Sequence, residues 1–95
     1  MRKFPESVII FGEEYKVIIE NIKTGELGLA DPNNKTITLE KNQSEKSKTH
    51  SFIHEFGHCV IFRTGLFQGI DEKMIEVVVE SMATALLENF TIINK

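Results

Sequence analysis

The chain is short of several things, and each shortage removes a class of answer. It has one cysteine, Cys59, in 95 residues. No intrachain disulfide can form, which fits a reducing, intracellular setting. No apolar run comes near the 18 or more residues of a membrane span. The N-terminal stretch "MRKFPESVIIFGEE" starts basic, but its apolar run covers only Val8 to Phe11. That is too short for the core of an export signal, so a cytoplasmic protein is expected. A basic surplus is missing too. The net charge is −3, and Lys41, Lys46, Lys48 and Arg63 are interleaved with acids. Neither a nucleic-acid nor a membrane partner is expected from that balance. There is no internal repeat and no interdomain linker. At 10.8 kDa the chain has the size of one domain, spanning 1–95. A domain this small has a modest core, so a bound metal would support folding as well as chemistry.

What is present divides into two halves. Residues 7–20, "SVIIFGEEYKVIIE", are rich in β-branched residues and broken by "GEE". Two strands joined by a tight turn at 12–14 are predicted. "KTGE" and "DPNN" are turn signals, and "LGLA" between them reads as a short strand. "KTITLE" at 35–40 alternates Thr with Ile and Leu, as a half-buried strand does. The expectation is a three- or four-stranded antiparallel sheet over residues 7–41. In the second half, "NQSE" has the form of a capping box with Asn42 in the cap position. A helix is predicted from about Gln43 to Thr64, ending at Gly65. "GLFQG" is a loop. Asp71 caps a second helix that runs to about residue 90. The fold class is therefore α+β: a sheet followed by two helices.

All three histidines fall in "HSFIHEFGHC", at 50, 54 and 58. At about 100° per residue, the histidines and Glu55 share one side of the first helix. Phe52, Ile53, Phe56, Cys59 and Val60 lie on the other, which the sheet should cover. "HEFGH" fits H-E-x-x-H. Residues i and i+4 stack about 6 Å apart, so His54 and His58 can reach one Zn²⁺ at about 2.1 Å. Glu55 is rotated off the metal, where it can take a proton from an activated water. His50 lies about 12 Å along the axis from His58, too far to share one ion on a straight helix.

Zinc then needs a third ligand from elsewhere. Cys59 lies on the apolar side and reads as a core residue. The second helix offers Glu72, Glu76 and Glu80 on one side, with Ile75, Val78, Val79, Met82, Ala85 and Leu86 as its buried stripe. Glu80 is favoured, because it sits mid-helix near Ala83, whose small side chain allows helices to approach. Glu76 is second.

With these residues the chain resembles a gluzincin-type zincin metallopeptidase. Within that group it is most similar to the small ImmA/IrrE-type proteins of phages and mobile elements. The matching segments are "HSFIHEFGHCVI" at 50–61 and "EVVVESMATALLENF" at 76–90, preceded by a hairpin ending in "NKTITLE". The resemblance implies Zn²⁺ held by His54, His58 and Glu80, with Glu55 as general base. It also implies an intracellular protein or peptide substrate, held as an extra strand on a sheet edge. Strand 35–40 is the candidate edge, Phe62 a candidate cleft wall, and Tyr15 or His50 a candidate oxyanion donor. The alternative is a zinc-stabilised module that binds a host or phage protein without cleaving it. The glutamate beside the first histidine argues against that, since a structural site has no use for a base.

Overall fold

The structure is a computed structural model that describes residues 4–65 and 69–89. It contains β1 (Ser7–Ile10), β2 (Glu13–Glu20), β3 (Gly28–Asp31), β4 (Thr36–Glu40), α1 (Glu45–Thr64) and α2 (Glu72–Asn89). This is an α+β fold, with four strands followed by two helices. Residues 66–68 of the expected loop, and the expected end of the second helix at residue 90, lie outside the described residues.

Phe11 and Gly12 make the β1–β2 turn. Both have positive φ, at 50° and 82°, and Ile10 pairs with Glu13 across them. Two left-handed residues match the strand twist, and Gly12 takes its place without steric cost. The β3–β4 turn is closed by Asp31, which accepts from the Asn34 amide side chain at 2.8 Å.

The strand order is β1-β2-β4-β3. The sheet is therefore mixed and not purely antiparallel, because β4 runs parallel to β2, with Val17 opposite Ile37. Burial explains the order. Ile37 and Leu39 are fully buried, so β4 occupies the interior of the sheet. The short, glycine-bearing β3 takes the edge, where weak pairing is tolerated. Strand 35–40 is consequently not the edge that its place before the helix suggested.

Tyr15, Val17, Ile37 and Leu39 line one face of the sheet, and Phe52 and Cys59 of α1 close over them. The helix starts later than predicted. Asn42 N–H still donates to Glu40, and the Gln43 side chain donates to the Leu27 and Glu40 carbonyls. The chain stays tied to the sheet through residue 43, and Ser44 becomes the cap, accepting from Ser47 N–H at 3.1 Å. Gly65 ends α1 in the left-handed conformation, as predicted. A Cβ on Gly57 would meet Val79 Cγ1 at 3.2 Å. The missing side chain brings α2 close to α1.

Glu40 is buried and anchors the chain on both sides of the β3–β4 hairpin. Its carboxylate accepts from Ile22 N–H at 2.6 Å and Asn42 N–H at 3.0 Å. These bonds hold its pKa below the ordinary 4.5. A lowered folded-state pKa stabilises the fold above the unfolded value, and that contribution is lost as pH falls through the folded one. Glu40→Gln should therefore melt below wild type near neutral pH. The gap between the two should narrow as acid protonates Glu40 below about pH 4.5. Thermal melts followed by circular dichroism across that range check both points.

Candidate metal centre

The polar side of α1 faces α2, and His54 is at the centre of what gathers there. His54 Nε2 and His58 Nε2 lie 3.2 Å apart. The Glu76 carboxylate spans the pair, with Oε1 3.1 Å from His54 Nε2 and Oε2 2.9 Å from His58 Nε2. The other ring nitrogen of His54, Nδ1, is 2.9 Å from Glu80 Oε1. Both ring nitrogens of His54 thus face carboxylate oxygens, Nδ1 that of Glu80 and Nε2 that of Glu76. A carboxylate only accepts, and a neutral imidazole has one proton to donate.

With the proton on Nδ1, the His54 Nε2 lone pair would face a carboxylate oxygen and a second imidazole nitrogen. Such acceptors repel one another by themselves and are satisfied around a cation. The ligands of one tetrahedral zinc would be about 3.5 Å apart, close to the spacings found. His54, His58 and Glu76 form a group that could hold a metal ion, and so do His50, His54 and Glu80.

Glu80, the residue favoured in sequence, does not join the His54–His58 pair. One of its oxygens meets His54 Nδ1, and the other lies 2.8 Å from His50 Nε2. The latter is a close contact without hydrogen-bond alignment. The reason is axial. Glu76 and Glu80 are one helical turn apart, and α2 packs so that Glu76 is level with the gap between the two histidines. Glu80 falls one turn further along, beside the outer nitrogen of His54. A carboxylate there orients a histidine whose other nitrogen points inward. Glu72, the first residue of α2, lines the cleft described below.

Glu55 turns away from this cluster towards the sheet. A Cβ on Gly28 would lie 3.0 Å from Glu55 Cγ and 3.1 Å from Oε2. Gly28 leaves the space that the glutamate fills. Burial pushes the Glu55 carboxyl up to about 7; His54 works against that rise, and Glu76 and Glu26 add to it. A cleft of about 780 Å³ opens over these groups, walled by Leu29, Pro32, Ile61, Phe62 and Ile75. Phe62 thus stands where the sequence placed it, at the cleft.

Three other candidates are placed as follows. Tyr15 is fully buried under α1, its pKa raised by burial first and by Cys59 next. Its hydroxyl does not reach the cleft. Cys59 is a core residue, and burial pushes its thiol up to about 12. It stays a thiol at neutral pH and is a poor ligand. His50 lines a smaller cavity with Ser47, Ser51, Glu55 and Glu80.

The strand edge was not found from sequence. The Glu40 N–H donates to the Leu27 carbonyl at 3.0 Å, which fixes the alternation of the β3–β4 ladder. Leu29 and Asp31 therefore bond to β4, while Gly28 and Ala30 direct their N–H and C=O groups to the outer edge. Both line the cleft. The signal was present in "GELGLADP", but it needed the strand order to be read.

No protein-family model matches the chain, and neither does any curated protein or solved structure. Among the described residues, no helix is long and apolar enough to cross a membrane.

Proposed function

We propose that this chain is a zinc-dependent metallopeptidase of the zincin kind, acting on an intracellular protein. The observation that carries the reading is the convergence of His54 Nε2, His58 Nε2 and the Glu76 carboxylate, with the half-buried carboxyl of Glu55 in the same cleft. Two imidazoles and one carboxylate, with a position left open, suit zinc better than calcium or magnesium. A Zn²⁺ held there would supply a Lewis acid for the scissile carbonyl and make water more acidic.

The other tasks belong to side chains and backbone of the chain itself. Glu55 accepts a proton from the attacking water on its carboxylate and returns it to the leaving amine. A carboxyl titrating near neutrality suits both transfers. Glu80 holds His54 in the tautomer that directs Nε2 inward. The free edge of β3 binds the substrate. An extended peptide added there bonds to Gly28 and Ala30, and because Gly28 touches Glu55, the peptide backbone passes beside the base. A regulator from a phage or mobile element, in the cytoplasm, is the substrate class that the resemblance favours.

Protein purified without added metal is expected to carry close to one zinc per chain by elemental analysis. It should cleave members of an unbiased peptide mixture, and a chelator should stop the cleavage. Absence of zinc overturns the reading. Zinc without any cleavage would point to the binding module instead.

A further inference from the structure

The outer side of α2 poses a question unrelated to the metal. Among the described side chains of this helix, Val79 and Ala83, which face α1, are the buried ones. Met82 and Ala85, expected inside, are exposed. Met74, Val77 and Met82 are 60%, 64% and 56% exposed. Projected at 100° per residue, Met74, Val77, Val78, Ser81 and Ala85 fall in one band about 100° wide, opposite Val79 and Ala83. A helix apolar on both sides is built to be covered on both.

We propose that a second copy of this chain covers it, through an antiparallel α2–α2 pair about a two-fold axis near Ser81. The charges at the ends of the band select that partner and that direction. Lys73 is the basic residue of α2, and Glu88 stands near its other end. Lys73 precedes Ser81 by about 12 Å and Glu88 follows it by about 10.5 Å, Glu88 just inside and Lys73 just outside the same side of the band. In an antiparallel pair, each Lys73 meets the other copy's Glu88, twice over. A parallel pair would set like against like. Between these ends, Val77 packs on the small Ala85 of the second copy, Ser81 lets the axes approach, and Met74 closes each end. The contact is isologous, so it closes at two copies. Glu76 and Glu80 are engaged by the histidines of α1, so the pair leaves the metal cluster uncovered.

Sedimentation equilibrium at tens of micromolar tests this. The wild type is expected at twice 10.8 kDa. Val77→Glu is expected at the single-chain mass with an unchanged circular dichroism spectrum, since Val77 is exposed in one copy alone. Lys73→Glu and Glu88→Lys should each weaken the dimer, and the doubly reversed chain should restore it. A wild type that sediments as one chain overturns the proposal. So does a dimer that survives Val77→Glu, because another face would then be pairing. Neither result bears on the zinc content or on peptide cleavage, so this inference stands or falls apart from the proposed activity.

Discussion

The Glu55→Gln protein is expected to carry its zinc and melt no lower than wild type, while losing about 10²–10⁴-fold in peptide cleavage. The two halves of that result have separate causes. Glu55 is not among the groups that converge on the metal position, so an amide there removes no ligand. Its carboxyl is raised to about 7 chiefly by burial, which means that the folded chain disfavours the charged form. A carboxyl raised in this way costs stability progressively as pH climbs from the unfolded value of 4.5 to the folded one of about 7, and fully above it. Replacing it with a neutral isostere therefore does no harm, and should raise the melting temperature slightly already at neutral pH. What the amide cannot do is accept a proton from water. Zinc content, a thermal melt and a cleavage assay on one sample check all three points. Full cleavage by the variant would sink Glu55 as the base, and loss of zinc would show that it is a ligand instead.

Glu76→Ala and Glu80→Ala are expected to differ sharply in metal affinity. Glu76 spans both histidine nitrogens at 3.1 and 2.9 Å, so its loss leaves two ligands, and stoichiometric zinc should not survive purification. Glu80 touches the outer nitrogen of His54. Removing such a partner typically costs about 10–100-fold in affinity. The Glu80→Ala chain should thus retain zinc in metal-replete buffer and lose it to a competing chelator sooner than wild type. Titration against a chromophoric chelator separates the two cases. Equal zinc retention by both variants would remove Glu76 from the ligand set, and a greater loss in Glu80→Ala would return Glu80 to it.

The contrast between these glutamates marks where sequence stops being informative. H-E-x-x-H is legible because its geometry is internal to one helix: a four-residue step fixes the two nitrogens whatever else the chain does. The third ligand depends on how far α2 slides along α1. Glu76 and Glu80 share a helix face, so periodicity cannot tell them apart. The slide is set by Val79 entering the space over Gly57, which leaves no periodic trace. The sheet behaves in the same way. Its strands are written locally, in "SVII", "EEYKVIIE" and "TITLE". Their order is decided by competition for the interior position, which β4 wins through Ile37 and Leu39. A strand next in sequence to a helix need not be the edge of the sheet.

The contact between Gly57 and Val79 has a consequence for substitution. The formula H-E-x-x-H leaves two positions free, and helix propensity would welcome alanine at either, by about 1 kcal/mol over glycine. In this chain the second position is not free. A methyl group at residue 57 would press on Val79 Cγ1 at 3.2 Å, and what it pushed outward would be the helix that carries Glu76. The change that most favours α1 on its own therefore works against the neighbour that completes the cluster. Tolerance at residue 57 belongs to the pair of helices, so variation there should be matched by a smaller side chain at residue 79.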